Sequence, residues 1–242
     1  MAVAAIICGY RTYGAIAQWG RNYDRQLIAA LGFKHEQTPC ASTLHTIFSK
    51  LDKEMFEAKL TDWAQSVMAA TPMASGQLEA LAADGKTLRG SRKQGAVGVH
   101  LLSLFSHRLG LTLAQQAVPD KTNEIPILPA MLKNLILTGR VITMDALNTQ
   151  RETAQTILDQ GGDYLMIVKE NQADLLEQIQ TVFEQPAPSP MAVVEQFDLG
   201  HARVESRRLT ASTILSGYCD WPGTAQVFEI HRTTILKNTG LY

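Results

Sequence analysis

The first part of the chain carries apolar residues at the spacing of amphipathic helices. Within residues 1–70, for example, Ile16, Trp19 and Tyr23 recur so that all three lie on one helical face. A linker of turn-forming residues, 71–76, follows and interrupts this periodicity. The pattern therefore predicts a small all-helical domain at the start of the chain.

Two arrangements of these helices stay open. Ser42 and Thr43 are predicted to cap a short helix, and the helix after it places Phe56 and Leu60 on one apolar stripe. Short helices with tight connections are typical of a helix-turn-helix, but a plain helical bundle produces the same pattern. No basic recognition face is visible in residues 42–51, and this favours the bundle slightly.

After the linker, the apolar pattern changes from that of helices to that of β-strands. Three apolar runs, residues 78–84, 99–107 and 111–119, are separated by turn residues and predict a three-stranded antiparallel meander. A helix is expected next, with Asn123 as its cap and with a late start or a bend caused by Pro129.

Strands and helices alternate in the remainder of this second part. Apolar runs at 141–146 and 163–170 predict buried strands, each followed by a helix. The predicted order βββαβαβα is that of a ribonuclease H-like mixed sheet, whereas a dinucleotide-binding domain would begin βαβ with a glycine-rich turn. Alternating basic and apolar residues over 191–240 predict a β-rich insertion. We therefore predict an α/β fold with two domains, residues 1–75 and 76–242.

Two aspartates stand at the ends of two predicted strands. Asp84 ends the first strand and Asp145 ends the strand after the meander. Taken singly, Asp84 could start a turn and Asp145 could precede a helix cap. In the predicted fold these strands are neighbours at the sheet centre, so the two carboxylates could hold a divalent cation together. We predict that Asp84 and Asp145 are metal ligands and catalytic. The segment is not a phosphate-binding loop, because that motif requires glycine where the chain has Ala80.

A basic run directly follows the first aspartate. Lys86, Arg89, Arg92 and Lys93 lie close together in sequence beside Asp84. A solvated loop is the ordinary explanation of such a run, but clustered positive charge beside a metal site suits a polyanionic substrate. We predict that these four residues contact DNA.

A second basic stretch lies inside the predicted insertion. If it is a strand, Arg203, Glu205 and Arg207 point to one side of it. With Arg208 these arginines could contact the DNA backbone, or they could form ordinary ion pairs on an exposed sheet face. Both interpretations stay open, and Arg203, Arg207 and Arg208 are predicted DNA-binding residues.

Composition and charge restrict the class of protein. The chain has 242 residues, 45% hydrophobic and 19% charged, with a formal net charge of −1, so any affinity for nucleic acid must be local. Three cysteines without a CxxC pair, Cys8, Cys40 and Cys219, argue against a disulfide framework and indicate a reducing cytoplasm. The apolar N-terminal run is shorter than the roughly 20 residues of a membrane span and lacks the charge of a signal peptide.

The chain resembles the DDE transposases of bacterial insertion sequences, in the H-repeat-associated (ISAs-type) branch. The resemblance runs nearly end to end, and its motifs are specific in combination rather than singly. The matching segments are YGAIAQWG (13–20), PCASTLHTIFSKLD (39–52), ADGKTLRGS (83–91), DKTNEIPILPAML (120–132), ITMDALNTQ (142–150), GGDYLMIVKENQADL (161–175) and GHARVESRR (200–208).

The resemblance implies a ribonuclease H-like domain that cuts DNA at the ends of the element and joins the freed 3′-hydroxyl to target DNA. It implies two Mg²⁺ ions held by two aspartates and a glutamate, with Asp84 and Asp145 as the two aspartates. Lys86 and Arg89 would contact phosphates. Partners would be the element ends and the target DNA, with no membrane.

The third acid is not assigned by the resemblance. In similar transposases it lies on a helix beyond the β-rich insertion, and the chain ends at the insertion. We expect a copy truncated at both ends, which leaves an inactive DNA-binding remnant as the alternative function. Glu205 is the next candidate, and Glu170 and Glu177 follow. A ribonuclease H-like nuclease of another kind, with Glu205 or Glu177 completing the site, is a further alternative. A missing closing helix would leave one sheet face uncovered, so we expect self-association.

Overall fold

A computed structural model describes residues 1–23, 25–34, 37–74, 76–88, 91, 98–118, 124–184, 191–200 and 203–236. The chain divides into two compact units, Met1–Lys59 and Leu60–Tyr242. The described helices are α1 (Ala2–Ile7), α2 (Tyr13–Arg21), α3 (Arg25–Ala30), α4 (Ala41–Ser49), α5 (Lys53–Ala70), α6 (Glu124–Leu132), α7 (Arg151–Asp159) and α8 (Ala173–Glu184). The described strands are β1 (Glu79–Thr87), β2 (His100–Ser106), β3 (Leu111–Val118), β4 (Arg140–Met144), β5 (Asp163–Met166), β6 (Ala192–Gly200), β7 (Arg203–Ser212) and β8 (Val227–Leu236).

The first unit is helical around a small apolar core, as the periodicity predicts. Its buried side chains come from α1, α2 and α4 and include Ile16, Trp19 and Leu44. A Cβ at Gly20 would lie 2.6 Å from the sulfur of Met1, so this glycine permits the close approach of the chain. The predicted boundary between domains at residue 75 stays a prediction.

The start of α4 differs from the prediction. Its N-cap is Cys40, in extended backbone, rather than Ser42 or Thr43. The hydroxyls of Ser42 and Thr43 instead lie 3.1 and 3.2 Å from the Cys40 sulfur. These hydrogen bonds, with Ser42 the larger contributor, lower the pKa of the Cys40 thiol to about 6. The cysteine therefore takes the place at the helix start that the sequence pattern predicts for a hydroxyl side chain.

Cys40 is expected to be the most reactive thiol of this chain. Because the thiolate is the nucleophile and the pKa is lowered, its alkylation rate should rise through about pH 6 and level off by pH 7. Rates of iodoacetamide labelling, read by peptide mass spectrometry across pH 5–9, test this. Exposed Cys8 provides the internal reference, and equal pH profiles for Cys8 and Cys40 would contradict the prediction.

The second unit contains a five-stranded mixed sheet in the order β3-β2-β1-β4-β5. Strands β1, β2 and β3 form the antiparallel meander, and β4 and β5 pair in parallel, each reached through a helix. The predicted element order βββαβαβα is thus confirmed, as is the pairing of β1 with β4 at the sheet centre. This architecture fits a ribonuclease H-like fold.

One face of this sheet carries the main apolar core. Leu81, Leu104 and Ile142 are completely or almost completely buried on it, against α6, α7 and the end of α5. The opposite face is more open, and Leu165 there is 40% exposed. The expectation of a late start for α6 is wrong, because the helix runs from Glu124 through Pro129 without delay. The predicted cap Asn123 lies outside the described residues.

A buried ion-pair cluster holds the beginning of β1. Glu79 is 1% exposed. Its Oε1 accepts a hydrogen bond of 2.5 Å from the Ser106 hydroxyl, and its Oε2 lies 3.3 Å from Arg140 Nε and 3.4 Å from Arg108 Nη2. The buried carboxylate is therefore fully paired, as burial of a charge requires. This cluster lies at the end of β1 remote from Asp84.

The predicted β-rich insertion is a separate antiparallel sheet in the order β6-β7-β8. The loop between β7 and β8 packs on the main sheet unit: Trp221 contacts buried Ala154, and the Tyr164 hydroxyl donates to the Pro222 carbonyl. Burial at this contact raises the pKa of Tyr164. The insertion is thus attached to the α7 side of the larger sheet.

One face of the second sheet exposes large apolar side chains. Phe197, Leu199 and Ile235 are 67%, 73% and 62% exposed and share this face by strand register. Self-association through such a surface stays a prediction.

No helix in the described part of the chain has the length and apolarity needed to cross a bilayer.

Candidate active site

The two predicted aspartates are neighbours where the parallel pairing of β1 and β4 ends; β1 itself continues past Asp84 to Thr87, so the predicted end of this strand at Asp84 is wrong. The register pairs Ala83 of β1 with Met144 of β4, so Asp84 and Asp145 are the next residues on neighbouring strands. Neighbouring strands lie about 4.8 Å apart. Both aspartates are exposed and belong to the open face of the sheet by the alternation of the strands. The structure thus brings together the two carboxylates that the sequence predicts as a pair.

Asp145 is held by the loop that follows it. Its Oδ1 accepts two hydrogen bonds from Asn148, one from the backbone N–H at 3.2 Å and one from Nδ2 at 3.1 Å. The Thr149 hydroxyl lies 3.0 Å from the Asp145 carbonyl oxygen and 2.8 Å from the Ile167 carbonyl oxygen, and its one proton is shared between these two acceptors. These contacts fix the end of β4 against β5 and leave Asp145 Oδ2 without a hydrogen bond in the described part of the chain.

A buried carboxylate lies behind the two aspartates. Glu124, the first residue of α6, is 3% exposed, and its Oε1 pairs with His100 Nε2. His100 Nδ1 in turn lies 2.9 Å from the Thr87 hydroxyl. A Cβ at Gly85 would come within 2.6 Å of both Glu124 carboxylate oxygens, so the glycine after Asp84 makes room for this carboxylate.

The structure describes the side chains of three of the seven basic residues that are predicted to bind DNA, Lys86, Arg207 and Arg208. Lys86 is exposed and lies two residues after Asp84 in β1, on the same face. Arg89, Arg92 and Lys93 lie outside the described residues, and the side chain of Arg203 does too. Lys86 is thus the described member of the first basic run, and it lies beside the paired aspartates.

Arg207 and Arg208 lie on opposite faces of the second sheet. Arg207 pairs with Glu205, and Arg208 lies 3.7 Å from Glu195 on the other side. The predicted basic strip therefore does not form a single face. Arg232 of β8 stands opposite Arg207 and was not singled out by the sequence pattern.

The three candidates for a third acid have different surroundings. Glu205 is 3% exposed in the second sheet, and its Oε2 accepts from Arg232 at 2.8 Å in addition to the pairing with Arg207. Glu170 and Glu177 are exposed in and after the short turn that follows β5. Among the described residues, no three acidic, histidine or cysteine side chains form a group that could hold a metal ion. The third acid stays a prediction.

Sequence reasoning missed the polar residues behind the aspartates. Glu124 stands where an acid suits the first turn of a helix, and a lone histidine on a strand, such as His100, is more often structural than a ligand. The available signals were the Asp-x-x-Asn spacing from Asp145 to Asn148, which is typical of a side chain bonding to nearby backbone, and a histidine at the start of an otherwise apolar strand. Neither signal identifies Glu124 as the residue that contacts both His100 and Asn148.

The strand order, with two aspartates next to each other on neighbouring parallel strands, fits an α/β domain of the ribonuclease H-like type. The profile described as "Transposase DDE domain" matches residues 75–218, and the profile "DDE_Tnp_1-associated" matches residues 1–64. The chain belongs to the DDE transposase domain family. The resemblance to H-repeat-associated transposases is confirmed by its relatives.

Three curated relatives illustrate the similarity. An uncharacterized protein in the dhlA 3′ region of Xanthobacter autotrophicus is 33% identical over 229 residues, which cover 92% of this chain and 76% of the relative. The putative transposase YncI of Escherichia coli O157:H7 is 30% identical and covers 91% of this chain. The H repeat-associated putative transposase YhhI of Escherichia coli (strain K12) is 29% identical and covers 86% of it. The chain spans 56% and 54% of the lengths of YncI and YhhI.

Proposed function

We propose that this chain carries the catalytic domain of an insertion-sequence transposase, which cleaves DNA strands and transfers the freed 3′-hydroxyl with Asp84 and Asp145 as metal ligands. The observation that carries the proposal is the register of β1 and β4, which makes two exposed aspartates neighbours directly after the last paired residues, Ala83 and Met144. Membership of the DDE transposase domain family supports the reaction class. The cytoplasm, where the DNA is located, is the proposed compartment.

The residues present fit Mg²⁺. This ion prefers hard oxygen ligands and is commonly bound through one or two carboxylates, with waters and substrate phosphates completing the shell. Asp84 and Asp145 supply two such carboxylates, and both hydrogen bonds from Asn148 go to Asp145 Oδ1, so neither occupies Oδ2. When bound, Mg²⁺ would activate the attacking oxygen and offset charge on the leaving oxygen. A third carboxylate from Glu205, Glu170 or Glu177 is compatible with this proposal but is not required for the first ion.

The basic residues near Asp84 and Asp145 are suited to bind the phosphates of a DNA backbone. Lys86 projects from the face that carries Asp84 and could neutralise a phosphate beside the reacting one. Arg89, Arg92 and Lys93 continue the same basic run in sequence and are proposed to extend the contact. Arg203, Arg207 and Arg208 are proposed as a second DNA contact on the insertion.

The proposal is tested by incubating the chain with labelled DNA that carries the ends of its element, in Mg²⁺ or Mn²⁺ and in EDTA. Metal-dependent strand cleavage at the ends is the expected result. Reactions with Ca²⁺, which is larger and binds with flexible geometry, provide a control for structural effects of divalent cations. Cleavage that persists in EDTA would contradict the proposal.

Binding without cleavage would favour the second candidate function, a DNA-binding protein without catalysis. This candidate rests on the absence of a third acid beside Asp84 and Asp145 among the described residues. Its affinity should fall with salt, with a log–log slope of roughly −0.9 per phosphate contact on duplex DNA. Lys86→Ala should then reduce the slope by about one unit.

A further inference from the structure

A chain of buried polar side chains connects the covered face of the main sheet to the aspartate pair. From the inside outward it consists of Thr87, His100, Glu124, Asn148 and Asp145, each within hydrogen-bonding distance of the next. The three middle residues are 3%, 3% and 1% exposed. They come from three separate elements, β2, α6 and the loop after β4, so no local sequence preference explains their convergence.

The donors and acceptors of this chain fit one arrangement. The carboxylate of Glu124 can only accept when ionised, so His100 donates from Nε2. His100 Nδ1 then accepts from the Thr87 hydroxyl. Asn148 Nδ2 donates to Glu124 Oε2 at 3.4 Å and to Asp145 Oδ1 at 3.1 Å. Asn148 thus uses both amide protons on two carboxylates.

The orientation of the Asn148 amide follows from these contacts. The flipped amide would direct its oxygen at two carboxylates, with no proton available to either bond. In the observed orientation, Asn148 Oδ1 is buried and has no hydrogen-bond partner in the described residues. A buried unpaired oxygen costs about 1–3 kcal/mol. The fold tolerates this cost in the arrangement that holds Asp145.

The geometry points to His100, Glu124 and Asn148 as positioning residues that hold Asp145 Oδ1, so that Oδ2 is presented beside Asp84 for a divalent cation; this rests on the proposed metal site. Glu124 anchors the Asn148 amide, and His100 anchors Glu124. The same carboxylate lies against Gly85, the residue after Asp84. The buried Glu124 side chain therefore packs against the strand that carries Asp84 and, through Asn148, holds the side chain of Asp145.

The test is Mn²⁺ binding to the DNA-free chain, measured by electron paramagnetic resonance titration of free Mn²⁺. Asn148→Ala and Glu124→Ala are expected to weaken binding by about 10- to 100-fold, the usual effect of removing a group that orients a metal ligand. Glu124→Gln should retain affinity within about threefold, because its amide oxygen can still accept from Asn148 while its N–H₂ donates to His100 Nε2 once His100 takes the tautomer with its proton on Nδ1, where it donates to the Thr87 hydroxyl. This rescue distinguishes positioning from a purely electrostatic effect.

Glu79→Gln is the matched control. It alters a buried, fully paired carboxylate at the other end of β1, so it should lower stability without changing Mn²⁺ affinity. Circular dichroism confirms which variants are folded, and because residues 124 and 148 are substituted separately, one unfolded variant leaves the other as the test.

Three results would overturn the inference. If Asn148→Ala and Glu124→Ala bind like the wild type while Asp84→Asn does not bind, the metal site stands and the positioning role falls. If Glu79→Gln weakens binding equally, general destabilisation explains the effect. If the wild type binds no Mn²⁺, the proposed metal site falls and the positioning role falls with it.

Discussion

Replacing Asp145 with asparagine is expected to weaken divalent-cation binding by about 10³-fold and to abolish metal-dependent DNA cleavage. Two unit charges 4 Å apart near a protein surface interact by about 4 kcal/mol at an effective dielectric constant of 20. About 1.4 kcal/mol corresponds to a tenfold change in affinity. Asparagine keeps the shape of the side chain and can still accept from Asn148, so the change removes charge with little change in packing. Asp84→Asn should have a similar effect.

In these two variants the free energy of unfolding should change much less than the affinity for a divalent cation. Asp84 and Asp145 are exposed and adjacent, and like charges at this distance repel in the metal-free protein. Both asparagine variants are therefore expected to change the free energy of unfolding by no more than about 1 kcal/mol. Urea unfolding without metal and Mn²⁺ titration of the same samples measure the two effects separately.

Asp163→Asn is the matched control for this pair. Asp163 is an exposed aspartate at the first residue of β5, at the opposite end of the same sheet. Its replacement should leave metal affinity unchanged. Equal loss of affinity in Asp163→Asn and Asp145→Asn would mean that net charge, rather than a site at the strand ends, determines cation binding.

Replacing Glu79 with alanine is expected to lower the free energy of unfolding by about 3–5 kcal/mol. The substitution leaves Arg140, which is 9% exposed, without its carboxylate partner, and breaking a buried pair by removing one member costs this much. Arg108 has more freedom, because 28% of its side chain is exposed, and it can turn toward water. Equilibrium urea denaturation followed by circular dichroism gives the free energy.

A double variant separates two contributions to the lost free energy of unfolding, the unpaired charge of Arg140 and the lost contacts of Glu79. Glu79→Met combined with Arg140→Met replaces both buried charges by apolar groups, and it should be less destabilising than Glu79→Ala. The exposed acid Glu177 provides the surface control, and Glu177→Ala should stay within about 0.5 kcal/mol of the wild type. A double variant at least as unstable as Glu79→Ala would show that the contacts of Glu79, rather than the stranded charge of Arg140, carry the stability.

Local patterns were sufficient to predict the element order and the aspartate pair. Alternation and turn residues define strands within short windows, and Asp145 directly follows β4 as the sequence predicts, whereas Asp84 lies inside β1, which continues to Thr87. Once the order βββαβαβα is known, the parallel pairing of β1 with β4 places the two aspartates side by side. The prediction succeeded because each step depends on residues close in sequence.

Predictions of which partner a polar side chain binds were less successful, because several groups compete for the same side chain. Ser42 and Thr43 are suitable helix caps, but both bond to the sulfur of Cys40, which itself occupies the cap position. Arg207 lies on the same face as Glu205, as strand alternation predicts, but the second arginine that pairs with Glu205, Arg232, comes from β8. Which group a polar side chain binds depends on neighbours that the motif does not contain.

The sequence by itself determined the fold class and the two acids that become neighbours when β1 pairs with β4, because periodicity and turn chemistry act over a few residues. Only the tertiary structure decided which buried polar side chains lie behind those two aspartates. Glu124 lies 24 residues in sequence from both His100 and Asn148, and their contact depends on how α6 packs across the sheet. The surroundings of Glu205 were decided in the same way, because strand pairing brings Arg232 to a carboxylate 27 residues away.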